Sequence, residues 1–190
     1  VEPLIDLLHE ADADVRPLVA MALSEIGASA VDPLIGLLTD PALQGTAAEA
    51  LAKIGEAAVE GCIQALDHGD ADTRKFVREI LVAIGEPAIP ALIQALRAGR
   101  FDTRSRAADI LEGMGWEPWG DTEQAWYLIA REQWIELALM GAPAVEPLIR
   151  TLNSDNNHIR SEAAWTLGEI GDPASVGPLA GALADGGVAP

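Results

Sequence analysis

The chain has 190 residues, 49% of them apolar, with 30 acids against 12 bases, a net charge of −18 and only two lysines, Lys53 and Lys75. That balance argues against nucleic acid and anionic membrane surfaces as partners, since both are held mainly through Lys and Arg; no uninterrupted apolar run approaches the ~20 residues of a membrane span. Cys62 is the lone cysteine, which excludes an intrachain disulfide framework and a cysteine zinc site and makes a reducing, cytoplasmic setting the expectation.

Five segments close alike, on a leucine, an apolar residue three positions later and then a glycine. They are Leu23-Ile26-Gly27, Leu51-Ile54-Gly55, Leu81-Ile84-Gly85, Leu111-Met114-Gly115 and Leu167-Ile170-Gly171. With Gly141 included, the glycines are spaced 28, 30, 30, 26 and 30 residues apart. A recurrence near 30 residues marks stacked supersecondary units. It divides the chain into units 1–27, 28–55, 56–85, 86–115, an irregular 116–141, 142–171 and a partial 172–190, read as a single domain.

Each unit predicts two helices. Val1, Leu4, Ile5 and Leu8 stripe the first helix of the first unit. The same spacing recurs in Val31-Leu34-Ile35-Leu38, Val59-Cys62-Ile63-Leu66, Ile89-Leu92-Ile93-Leu96 and Val145-Leu148-Ile149-Leu152, an amphipathic helical pattern. Pro3, Pro33, Pro90 and Pro147 fall near the starts of these helices, where a missing N–H is tolerated. Asp14, Asp72 and Asp102, each two residues before Arg16, Arg74 or Arg104, are expected to cap the second helix; His158 takes that slot before Arg160. Val19, Leu23, Ile26 and their equivalents are the expected buried stripe of the second helices, and the glycine permits the left-handed turn into the next unit.

The segment 116–141 breaks the pattern. It holds Trp116, Trp119, Trp126, Trp134 and the only tyrosine, Tyr127. Asp121 with Gln124 reads as a capping box, and Trp134, Leu137 and Met140 as a short second helix ending at Gly141. Large rings mostly fill cores, the reading preferred here; the competing one leaves Trp119 and Tyr127 exposed as a recognition patch.

Stretches such as Ala144-Val145-Glu146-Pro147-Leu148-Ile149 and Ile159-Arg160-Ser161-Glu162-Ala163-Ala164-Trp165-Thr166-Leu167-Gly168-Glu169-Ile170-Gly171 resemble HEAT-like repeats of the phycobilisome-lyase type. The resemblance covers nearly the whole chain outside 116–141. It implies an all-α fold, a right-handed α-α superhelix, and a range of roles from bilin lyases to scaffolds. Deoxyhypusine hydroxylase, built on this repeat, holds two irons through His-Glu pairs early in its second helices. The matching positions here, from Pro17-Leu18 to Ser161-Glu162, contain no histidine.

No other catalytic constellation stands out. Asp12-Ala13-Asp14 and Asp70-Ala71-Asp72, near His9 and His68, read as inter-helix turns rather than as a calcium loop, which needs six or more oxygens. Cys62 falls in a core slot, so an inert thiol is expected. No catalytic residue, cofactor or metal is assigned.

What remains is surface. The resemblance implies that second helices line the concave side. Their outward positions, six before each glycine, are Met21, Glu49, Glu79, Asp109 and Trp165. Three acids between two apolar ends suit a basic or amphipathic segment of a partner protein. The sequence therefore reads as a non-catalytic protein-binding scaffold. The alternatives are a phycobilin lyase-like or tetrapyrrole-chaperone protein and a structural segment of a longer array. Val1, Leu4, Ile5 and Leu8 at one end and Val176, Leu179 and Leu183 at the other have no expected cover, so end-to-end self-association is expected.

Overall fold

The computed structural model describes residues 1–12 and 14–184; Ala13 of the Asp12–Asp14 stretch and residues 185–190 of the last partial unit lie outside the described residues. No strand occurs among the described residues. The helices come in pairs that follow the predicted units. They are α1 (Glu2–Glu10) with α2 (Arg16–Ile26), α3 (Val31–Gly36) with α4 (Gln44–Ile54), and α5 (Glu56–His68) with α6 (Ala71–Ile84). Then come α7 (Ile89–Ala98) with α8 (Phe101–Gly113), α9 (Asp121–Ala130) with α10 (Trp134–Met140), and α11 (Ala142–Thr151) with α12 (Asn157–Ile170), before α13 (Val176–Ala184). The chain folds into two compact units, one of residues Val1–Leu92 and one from Ile93 onward, the division falling within α7.

The closing glycines set the period. All six have positive φ, between 68° and 76°. Gly27, Gly55, Gly85 and Gly141 combine it with ψ between −132° and −140°, a conformation open in practice only to a residue without Cβ. Gly171 instead adopts the ordinary left-handed helical conformation, ψ 20°. Four residues before each glycine stands a fully buried leucine: Leu23, Leu51, Leu81, Leu111, Leu137 and Leu167. Leu8, Leu34, Cys62, Leu92 and Leu148 answer them from the first helices, also without exposure.

Within the first unit the second helices α2, α4 and α6 pack in succession on one layer, and α3 and α5 on the other. In the second, α9 packs on α11 and α10 on α12, so the irregular pair occupies the places of a regular one. Helical hydrogen bonding runs on from Arg16 to Thr39, a stretch long and apolar enough to cross a membrane by length and composition. It is bent at Gly27 and divided into α2, α3 and short 3-10 turns, with Leu23, Leu34 and Leu38 in the core.

Several local expectations are corrected. In α6 and α12 the capping side chain stands fifteen residues before the closing glycine, not thirteen; α2, with N-cap Val15, and α4, with N-cap Leu43, have no side-chain cap, so the cap expected of Asp14 does not form. Asp70 Oδ1 accepts from the Thr73 N–H at 2.7 Å and Asn156 Oδ1 from the His158 N–H at 3.0 Å, whereas Asp40 Oδ1 accepts from the Ala42 N–H at 2.8 Å in the turn before α4. Asp72 and Asp102 fall inside the first turn instead, where they still favour the positive end of the helix dipole. Asp121 is likewise the first residue of α9, whose N-cap is Gly120, without a side-chain cap. Pro147 is buried inside α11 rather than at its start, because α11 begins directly after Gly141 while α3 and α7 follow a 3-10 turn. Ile26 is 43% exposed; the stripe of this second helix turns outward in its last turn.

Candidate functional site

The outward row stands as exposed side chains on successive second helices. In the first unit Met21 of α2, Glu49 of α4 and Glu79 of α6 are all exposed, and among the described residues neither glutamate joins an ion pair. Each is held outward by the buried leucine two positions later, whose burial fixes the rotation of the helix. In the second unit Asp109 of α8 is exposed too, but its carboxylate is taken by Arg131, which also lies 3.4 Å from Glu112. Trp165 of α12 is half exposed.

One member of the row escaped the sequence reading. Ile135 of α10 lies six residues before Gly141 and is 68% exposed. Counting back from Gly141, as from the other glycines, would have found it. Leu139, one turn further along α10, is 83% exposed. The outward face of this unit is therefore apolar at Ile135 and Trp165, on helices that pack together.

The tryptophan-rich segment divides between the two readings. Trp126 and Trp134 are core residues at 1% and 9% exposure, whereas Trp119 is 91% exposed. Tyr127 is partly covered, its ring tilted 56° against Trp116 at a centroid distance of 6.3 Å. Burial raises the Tyr127 phenol above its ordinary value, the Glu112 and Asp109 carboxylates add to that, and Arg131 opposes it. Cys62 is buried and free, its thiol pushed up to about 12 by desolvation, which keeps it protonated and unreactive. Among the described residues no three His, Cys, Asp or Glu side chains converge as metal ligands.

Sequence reasoning also missed an arginine cluster in the second unit. The guanidinium carbons of Arg104 on α8 and Arg150 on α11 lie 4.8 and 5.2 Å from the centre of the Trp126 ring, at cation–π distance. Both donate toward the Arg97 carbonyl at the end of α7, each at 3.5 Å, where the negative end of the helix dipole favours cations. Arg97 pairs with Glu123, and Arg100 with Asp155 at 2.8 Å.

Paired helices repeating every 30 residues or so, each pair closed by a glycine with positive φ, define an α-helical repeat protein of the solenoid class. The chain belongs to the HEAT repeats, whose family pattern matches residues 1–61, 31–112 and 127–189. No curated protein matches it. Repeats of this kind present extended surfaces to other proteins.

Proposed function

We propose that the chain is a non-catalytic protein-binding scaffold that holds a basic, amphipathic segment of a partner on the outward row of its second helices. The observation that carries this reading is the pair of exposed, unpaired carboxylates at Glu49 and Glu79 on packed helices, with Met21 in the same register on the neighbouring helix. Exposed acids without intramolecular partners supply electrostatic attraction at no cost of breaking an existing ion pair. In the second unit the exposed Trp119 is a separate aromatic anchor of the kind interfaces favour.

The test is fluorescence anisotropy with a labelled synthetic peptide carrying lysine and leucine at helical spacing. Binding should weaken steeply with salt, because exposed charge pairs are screened over ~8–10 Å at ordinary ionic strength. Glu49→Gln with Glu79→Gln should abolish it while leaving the thermal midpoint in place. Equal binding by the double variant would end this reading. The phycobilisome-lyase subtype and a bilin-handling role rest on resemblance alone, and a shift in visible absorption on adding a bilin is their test. Self-association draws on α13, which has no buried residue and exposes Val176 and Leu183; light scattering of Leu179→Glu with Leu183→Glu would test it.

A further inference from the structure

The position eleven residues before the closing glycine is arginine in four units: Arg16, Arg74, Arg104 and Arg160. In three of them the guanidinium hydrogen-bonds a carbonyl of the turn between the paired helices. Arg16 reaches Ala11 at 3.1 Å, Arg74 reaches Gly69 at 2.6 Å and Arg160 reaches Ser154 at 2.6 Å. Arg104 departs from this role. Its one carbonyl contact is the 3.5 Å approach to Arg97, its Nε is buried without a partner, and it lies over Trp126 instead.

The surroundings depart from the repeat in the same direction. Fifteen residues before the closing glycine, Arg100 stands where other units hold Asp12, Asp40, Asp70 or Asn156. Arg97, Arg100, Arg104 and Arg150, four of the chain's ten arginines, thus gather in a protein of net charge −18. Arg100, Arg104, Arg150, Asn153, Ser154 and Asp155 line an open cleft of about 480 Å³. Its carboxylates do not balance its cations. Asp155 is engaged by Arg100, and Glu146 stands 3.7 Å from Arg150. No carboxylate lies within 4.0 Å of the Arg104 guanidinium among the described residues. Burial and the charge of Arg150 both work against the charge on Arg104, with Asp155 opposing them. Arginine stays protonated nonetheless, so Arg104 carries positive charge short of acceptors, an arrangement that costs free energy until an anion supplies them.

We infer that the Arg100–Arg104–Arg150 cleft binds a small oxyanion, a phosphate or a carboxylate. Planar guanidinium groups match both groups in geometry, and Ser154 and Asn153 offer neutral hydrogen-bond partners at the rim. The acidic remainder of the surface repels polyanions, which confines the ligand to a single anionic group. This inference does not depend on the acidic row, and Glu49→Gln with Glu79→Gln should leave it intact.

Calorimetric titration with inorganic phosphate, and separately with acetate, at ionic strength held constant with chloride tests it. Saturable binding is expected. Arg150→Gln, an exposed side chain, and Arg104→Gln should each weaken it by about tenfold or more. Arg74→Gln, the same repeat position in another unit, should leave affinity unchanged. Asp155→Asn removes the carboxylate that competes for Arg100 and should tighten binding severalfold, a gain that misfolding cannot mimic. Phosphate binding without acetate binding identifies a phosphoryl ligand, and comparable binding of both identifies a carboxylate. No saturable heat with either probe, or equal affinity in wild type, Arg150→Gln and Asp155→Asn, would overturn the inference.

Discussion

The two compact units share a repeat and differ in what they show to solvent. Residues 1–92 carry 16 acids and 5 bases, and residues 93–190 carry 14 acids and 7 bases, all of the latter arginine. At the outward position of the second helix, the first unit offers Met21 and two unpaired glutamates. The second offers an aspartate already held by Arg131, then Ile135 and Trp165. Four residues before the glycine, in contrast, every unit has the same buried leucine. The repeat keeps its inward chemistry constant because each pair must bury the same stripe against its neighbours, while outward positions bear no such constraint. Function in such a fold is therefore sought where the units diverge.

The largest expected effects strike what the units have in common. Leu81→Ala in the first and Leu111→Ala in the second both empty a fully buried slot, and each should cost roughly 2–5 kcal/mol. Hydrogen exchange should locate the damage: Leu81→Ala should deprotect α5 and α6 far more than α11 and α12, and Leu111→Ala the reverse. Uniform loss of protection in both variants would show that the two units unfold as one, and the comparison would lose its force for stability.

Next come the turns. A Cβ at Gly85 or Gly171 would meet no atom within 4 Å, so alanine there is opposed by backbone conformation alone. Gly171 is in the left-handed helical region, where a non-glycine residue costs about 1–2 kcal/mol. Gly85, with φ 76° and ψ −140°, is in a region reserved for glycine, and its alanine variant should lose more, up to about 3 kcal/mol. Thermal denaturation of the two variants checks the order; equal losses would mean that the turn after α6 relaxes.

What the sequence made legible was whatever repeats with an apolar period. The glycines, the leucine slots and the first-helix stripes were all placed, because burial forces the same residue type into the same register. The cap of α6 was misplaced by two residues, since Asp70 and Asp72 offer two carboxylates of equal capping merit and only the backbone decides between them. The arginine cluster was invisible for another reason. Arg97, Arg104 and Arg150 span more than fifty residues, and packing around Trp126, not spacing, brings them together. Arg100 in a slot otherwise held by Asp or Asn was a signal within the sequence, but it could be seen only once the cap register was known.

A smaller effect concerns Cys62, in the first unit. Its thiol ionises near 9.0 when unperturbed and at about 12 in the fold. A raised pKa contributes stability that is fully present below the ordinary value and lost as pH rises toward the folded one. Stability should accordingly decline between about pH 9 and pH 12 through this group. At mildly alkaline pH a thiol reagent should modify Cys62 only as fast as the first unit opens; rapid modification of the native protein would contradict its burial.

The smallest expected effect tests whether Asp109 belongs with Glu49 and Glu79 or with the second unit's own ion-pair network. Asp109 is paired with Arg131 on the surface, and such pairs contribute only about 0–1 kcal/mol, so Asp109→Asn should barely shift the thermal midpoint. It should also weaken the labelled basic peptide far less than Glu49→Gln or Glu79→Gln, because its charge is already compensated. The network has its own reporter in Tyr127, whose phenol is raised by burial first and then by Glu112 and Asp109, against the pull of Arg131. Removing the Asp109 charge should move the Tyr127 titration back toward its ordinary value, read by ultraviolet difference absorption. Removing the Arg131 charge with Arg131→Gln should move it the other way, further up. If Asp109→Asn leaves Tyr127 unmoved and cuts peptide binding as deeply as Glu79→Gln, the carboxylate is free in solution, and the pairing with Arg131 does not set Asp109 apart from the glutamates.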